Sequence, residues 1–185
     1  MINEIMADTK TRMKKSIATV KVELAKIRTG RATPGLLDHV VVSYYGNDVP
    51  LNQAATISAS DARTLSVQAW EKNMVPTIEK AILESRLGLN PVTAGEVVRI
   101  PIPALTEERR REMTKLVRTE GENGKVAVRN IRRDAISHAR DLVKSKDIGQ
   151  DDEKKGVEQI QSLTDQYTAE IDALIKEKEA EIMEV

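Results

Sequence analysis

Seven basic residues, Arg111, Arg118, Lys125, Arg129, Arg132, Arg133 and Arg140, lie in a stretch of the 185-residue chain that contains no proline. At 100° per helical residue they all fall between about −40° and +60° of Arg118, so a helix here carries them as one stripe. The apolar residues of the same stretch centre at about −110°, which turns the stripe, Arg132 included, away from a core and toward an external partner. Guanidinium forks grip phosphate oxygens bidentately, so an arginine-rich face suits structured RNA better than a generic acidic protein. Aromatic residues make up 2% of the chain and Phe is absent, so the stacking platform of a single-strand binder is missing. Duplex or folded RNA, read by backbone and shape, is the better fit. The alternative is a solvated face laced by Glu122 and by acids of neighbouring helices.

Other chemistry is excluded by residue types. His39 and His138 are the only histidines and fall in different predicted domains, so no histidine pair supports acid–base catalysis. Cysteine is absent, which removes disulfides, thiolate catalysis and cysteine-bearing zinc sites. Gly121-Glu122-Asn123-Gly124-Lys125-Val126 resembles a phosphate loop only superficially, because the glycine spacing is wrong and no Ser or Thr follows the lysine. Asp151 and Asp152 diverge by 100° on a helix and read as acids favouring its first turn rather than as metal ligands. No catalytic residue, metal site or cofactor is expected.

The elements that must position the stripe follow from periodicity. Residues 3–28 contain neither Pro nor Gly, and Met6, Met13, Ile17, Val20, Leu24 and Ile27 recur at bundle-helix spacing until Thr29-Gly30. A second helix runs from Thr106 to about Lys146, with Met113, Val117, Gly121, Gly124, Val128, Ile131, Ala135 and Leu142 on its core face and Gly149 at its end. Its two glycines permit close approach of a neighbour. Asp151, Asp152 and Glu153 open a third helix carrying Val157, Ile160, Leu163, Tyr167, Ile171, Leu174, Ile175 and Ile182. None of the three buries its stripe alone, so they are expected to close on each other as one bundle.

Between the first two helices the texture changes to short β-branched runs punctuated by turn residues. Strands are read over 40–45, ended by Gly46-Asn47-Asp48, and over 55–59, 64–70 and 96–102. A short amphipathic helix is read over 77–85. Pro101 and Pro103 require the last strand to lie at an edge or to end there. The fold class is therefore α+β: an elongated three-helix bundle of residues 1–30 plus 105–185, expected to bind RNA, with a small β/α/β domain of residues 31–104 inserted. Two short crossings, Thr29-Gly30-Arg31 and Ala104-Leu105-Thr106, make a hinge rather than a floppy tether.

Formal net charge is zero, yet it is segregated: residues 1–31 carry +5, 32–106 carry −2, 107–146 carry +5 and 147–185 carry −8. This suggests a polyanion-facing surface opposed by an acidic one. The N-terminus lacks the apolar core of a signal peptide and no run approaches the ~20 apolar residues of a membrane span, so no membrane partner and a cytoplasmic location are expected.

Five motifs in order then carry a resemblance over essentially the whole chain. Lys26-Ile27-Arg28-Thr29-Gly30-Arg31-Ala32-Thr33-Pro34, Tyr44-Tyr45-Gly46 and Leu87-Gly88-Leu89-Asn90-Pro91 resemble the ribosome recycling factor family. So do Pro103-Ala104-Leu105-Thr106-Glu107-Glu108-Arg109-Arg110 and Val128-Arg129-Asn130-Ile131-Arg132-Arg133-Asp134-Ala135. The resemblance implies an L-shaped, two-domain, non-enzymatic translation factor, comparable in outline to transfer RNA. It implies a factor that lies along large-subunit ribosomal RNA of the post-termination ribosome and splits the subunits with elongation factor G and GTP. Carried over residue by residue, it assigns RNA binding to Arg28, Arg31, Arg110, Arg129, Arg132 and Arg133; Arg110 lies about 80° off the stripe, so periodicity supports it least. Gly121 and Gly124 depart from the family's usual helix formers. Two other classes stay open on residues alone: a coiled-coil scaffold, which would self-associate where a recycling factor is expected to be monomeric, and an enzyme with a helical lid, which has no candidate nucleophile.

Overall fold

Alternating three- and four-residue apolar spacing winds α1 over Ile2–Ala25 and buries Thr9, Met13, Ile17, Val20 and Leu24 on one face. A computed structural model of the chain describes residues 1–184. Helices α3, Glu107–Lys144, and α4, Gln150–Met183, complete a three-helix unit with α1. Its core draws Met113, Val117, Val128, Ile131, Ala135 and Ala139 from α3 and Ile160, Tyr167, Ile171 and Ile182 from α4. Leu142, expected on the core face, is only half-buried, and Ala139 occupies the core there instead.

The glycines of α3 sit where its neighbours come closest. A Cβ at Gly121 would lie 2.0 Å from Ile175 Cδ1, and one at Gly124 would lie 2.4 Å from Val20 Cγ2 and 3.3 Å from Ile171 Cδ1. Helix propensity is sacrificed there for helix-to-helix contact. Two threonines enter the core because their hydroxyls find backbone partners: Thr9 donates to the Ile5 carbonyl at 2.7 Å and Thr164 to the Ile160 carbonyl at 2.8 Å.

Gly149 does not end α3. The helix stops earlier, with Lys146 in the left-handed region at φ +63°, its N–H donating to Val143 O at 3.0 Å and that of Asp147 to Leu142 O at 2.9 Å. These are the paired 6→1 and 5→2 bonds of a Schellman end, built on lysine where glycine is usual. Gly149, with extended backbone, caps the start of α4, whose first turn holds Asp151, Asp152 and Glu153.

The second unit, Gly30–Thr106, holds six strands where four were expected from the sequence. β1, Val41–Tyr44, and β2, Asn47–Pro50, form a hairpin in which Tyr44 faces Asn47. Tyr45 at φ +50° and Gly46 at φ +80° make its two-residue turn, so Asn47 and Asp48 open a strand instead of ending one. The other sheet is antiparallel with order β3-β4-β6-β5, from β3 Ala55–Asp61, β4 Thr64–Ala69, β5 Val92–Ala94 and β6 Val97–Pro101. β6 is interior, and Pro101 is tolerated as its last residue, opposite Thr64. Leu65, Val67, Val98 and Ile100 share one buried cluster with Ile78 and Ile82 of α2, Val75–Glu84. The entering and leaving chains are tied to the same β3–β4 turn: Ala32 N–H donates to Ala62 O at 2.8 Å and Ile102 N–H to Arg63 O at 2.7 Å.

Candidate nucleic-acid interface

Thirty-eight residues of uninterrupted α3 put the basic stripe on one rigid element. Its members have different surroundings. Arg118 meets Glu179 of α4 at 2.7 Å, Arg140 meets Glu153 of α4 at 3.8 Å, and Lys125 pairs with Asp172 of α4. Arg111 pairs with Glu107 at 2.6 Å and Arg129 with Glu122 at 3.1 Å, both within α3. To this extent the face is laced by carboxylates, as the alternative reading of the stripe required. Each pair keeps at least one exposed partner, and exposed pairs are worth about 0–1 kcal/mol, so a polyanion can displace them at small cost.

The arginines matched to the family motifs differ from the paired ones. Arg28, Arg110, Arg132 and Arg133 have no carboxylate partner among the described residues, and Arg28 and Arg133 are exposed. Arg31 is exposed and engaged in an interaction within the chain. Arg132 does not stand clear of the bundle: it is half-buried, and its Nε is sealed from solvent without a hydrogen-bond partner. At about −40° from Arg118 it lies on the edge of the stripe toward α4, so its stem packs while its charge finds no carboxylate. Arg110, about 80° from the stripe, has the same sealed, unpartnered Nε.

At the crossings, Gly30 takes φ +77°, and a Cβ on it would lie 2.9 Å from Leu105 Cγ, so the two connecting chains touch. Thr29 and Leu105 are half-buried, Ala104 and Thr106 exposed. His39 and His138 are both exposed and stand in different units. Among the described residues no group of His, Asp and Glu could hold a metal ion, and no helix is long and apolar enough to cross a membrane.

Counting aromatics concealed where they are. Tyr44 and Tyr45 pack edge to face with ring centres 4.6 Å apart, and both hydroxyls donate to the Glu71 carboxylate, at 3.0 and 2.5 Å. Trp70, the residue before Glu71, is 59% exposed and donates its indole N–H to Thr56 Oγ1 at 2.9 Å. Three of the chain's four aromatic residues thus belong to the sheet unit. The adjacent pair Tyr44-Tyr45 was the only sequence signal of this grouping.

A long three-helix bundle of α1, α3 and α4 with an inserted sheet unit defines the structural class of the chain. Comparison with known proteins narrows it. The profile of the ribosome recycling factor family matches residues 20–183. The ribosome-recycling factor of Azoarcus sp. (strain BH72) is 57% identical over 185 residues, and that of Nitrosospira multiformis is 58% identical, each covering 100% of both chains. Among solved structures, a solution structure of the ribosome recycling factor aligns at TM-score 0.69 and 42% identity, covering 100% of this chain and 98% of that one. Another aligns at TM-score 0.63 and 46% identity with full coverage of both chains. It comes from models for the T. thermophilus ribosome recycling factor and the E. coli elongation factor G bound to the E. coli post-termination complex. The chain belongs to the ribosome recycling factor family.

Proposed function

We propose that this protein binds the post-termination ribosome and, with elongation factor G and GTP, splits the subunits so that they return to protein synthesis. It is a translation factor and not an enzyme; the work of splitting is supplied by its GTP-driven partner. Membership of the family over residues 20–183 supports this reading. The bundle is the RNA-binding part, gripping large-subunit ribosomal RNA through Arg28, Arg31, Arg110, Arg129, Arg132 and Arg133. One observation carries that assignment: four of these six have no carboxylate partner among the described residues, whereas five of the seven stripe residues are paired within the chain. An unpaired guanidinium keeps its capacity for phosphate and loses nothing internal on binding.

The crossings Thr29-Gly30-Arg31 and Ala104-Leu105-Thr106 are the hinge in this reading, since glycine at positive φ is a ready point for backbone rotation. Spin labels placed one in each unit should give a broader distance distribution than a pair within the bundle. A distribution equally narrow would argue for rigidity. The protein works as a monomer, because one chain supplies all three helices of the bundle.

Arg132 tests the RNA contact. Arg132→Ala removes stem packing as well as charge, so Arg132→Met, which keeps an apolar stem, is measured beside it. Both should bind isolated large ribosomal subunits roughly 10- to 100-fold more weakly, the cost of one charge-assisted phosphate contact. If about four side chains contact phosphates, a fourfold rise in salt weakens wild-type binding by about two decades, and the variants show a shallower slope. Sedimentation in the same buffers should show a monomer at micromolar concentration. Unchanged affinity and salt slope in Arg132→Met would refute the assignment.

A further inference from the structure

The first helix carries a charge pattern that the α3 arginines leave unexplained. Lys10, Lys14 and Lys21 are spaced four and seven residues apart, which brings them within about 40° of one line running some 16 Å along α1. All three are exposed. They rim a groove of about 450 Å³ between α1 and α4, completed by Gln166, Tyr167 and Glu170, with buried Ile17 in its floor.

None of the three lysines has an ion-pair partner among the described residues. Among the described residues the ion pairs of the bundle tie α1 to α3, through Arg12 and Asp134 at 2.8 Å, and α3 to α4, through Arg118, Lys125 and Arg140. None ties α1 to α4. This is unexpected from composition, because residues 147–185 carry twelve acids against four bases. The reason is placement: Glu153, Asp172 and Glu179 of α4 are turned to α3, leaving Glu170 as the one carboxylate that lines the lysine groove. Tyr167, buried overall, also lines the groove, and among the described residues its hydroxyl has no hydrogen-bond partner.

We propose that the α1–α4 groove is a second phosphate-binding face, on which Lys10, Lys14 and Lys21 follow the backbone of a folded RNA. The inference goes beyond the proposed function, which places RNA contact on the arginines, and it stands or falls separately. Ammonium groups on flexible stems serve as mobile point charges along a phosphodiester backbone, where rigid forks would demand fixed geometry. An acidic protein is the poorer occupant. Lysine is depleted at protein–protein interfaces, and this groove offers no exposed aromatic or large apolar anchor around which a binding hot spot could form. With its charges unpaired among the described residues, the line binds phosphates by releasing their counterions, which makes the contact strongly salt-dependent.

The test combines Lys10→Gln, Lys14→Gln and Lys21→Gln in the full-length chain and measures binding to isolated large ribosomal subunits across salt. Three lost phosphate contacts should weaken binding about a hundredfold near 0.1 M salt and flatten the log–log salt slope by roughly two to three. Thermal unfolding should be unchanged, since all three side chains are exposed. A photo-crosslinking residue at Ala18, which lines the groove, should yield an adduct on the subunit that ribonuclease trims. Wild-type affinity and slope in the triple variant, or an Ala18 adduct to a ribosomal protein, overturns the proposal. Comparison with Arg132→Met separates the two faces. Loss only in the lysine variant supports the groove and sinks the arginine reading, and loss only in Arg132→Met does the reverse.

Discussion

Glu71 shows how one carboxylate can organise a patch. It accepts hydrogen bonds from Tyr44 and Tyr45, and these bonds, ahead of burial and of the negative charge itself, push both phenol pKa values above the ordinary 10.0. Tyr167 is also raised, first by burial in the bundle and then by the charge of Glu170. All three tyrosines of the chain therefore hold their protons longer when folded than when unfolded. The sign follows: unfolded tyrosines ionise at about pH 10, so this stabilisation is intact below that pH and is lost as pH rises through the folded values. Spectrophotometric titration at pH 10 should find less tyrosinate in the folded protein than in denaturant. In Glu71→Gln two of the three phenols should return toward ordinary behaviour while Tyr167 does not. A titration identical to that of wild type would mean that the Glu71 bonds do not persist in solution.

At the scale of elements, periodicity made the bundle legible. Most of the stripes of α1 and α3 was readable from spacing, although α1 ends at Ala25, short of Ile27, and Leu142 is only half-buried; the prolines correctly placed the end of β6. What failed was local chemistry that breaks the usual residue preference. Tyr45 in the left-handed region hid the β1–β2 turn, because such hairpins normally announce themselves with Asn-Gly or Asp-Gly. Lys146 in the same region hid the end of α3, and Gly149, taken for that end, caps the next helix. In the candidate site, helical spacing located the arginine stripe but could not say which members α4 would neutralise, since that depends on the rotation of a neighbouring helix. Gly121 and Gly124 were read as a close approach, and Gly124 gives the sharper test. Helix propensity predicts that Gly124→Ala gains about 1 kcal/mol, whereas overpacking costs roughly 1–3 kcal/mol. Val20 is β-branched and stiff at χ1, so the 2.4 Å collision of a Cβ with Cγ2 is not relieved by a rotamer change. Net destabilisation of about 1 kcal/mol is expected in urea melts. Adding Val20→Ala should cost less in the Gly124→Ala background than alone, because the new methyl fills the space. Simple additivity would place the closest approach elsewhere.

At the scale of the whole molecule, the bundle is discontinuous in sequence: α1 must find α3 and α4 across the 77 residues of the sheet unit, Gly30–Thr106. An unstructured insert of that length would charge the bundle a loop-closure entropy that a short connection avoids. Closure cost grows as (3/2)RT ln n, so shortening an effective loop from ~77 to ~8 residues is worth about 2 kcal/mol. The folded insert makes that shortening, because Gly30 packs on Leu105 and the chains beside them are pinned to the same β3–β4 turn at Ala62 and Arg63. The two units are thus coupled through the chain. Ile78 is fully buried in the insert, and combining Ile78→Ala with Leu65→Ala removes about 2–5 kcal/mol per site, enough to unfold a unit of this size. Helical circular dichroism comes mostly from the bundle, and its urea midpoint in this variant should fall by the equivalent of about 2 kcal/mol although no bundle residue has changed. Replacing residues 31–104 with a short Gly-Ser linker should restore most of that loss, since it too shortens the loop. If the bundle melts identically with the insert folded, unfolded or removed, the insert contributes nothing to bundle closure, and the packing of Gly30 on Leu105 has no energetic consequence for α1, α3 and α4.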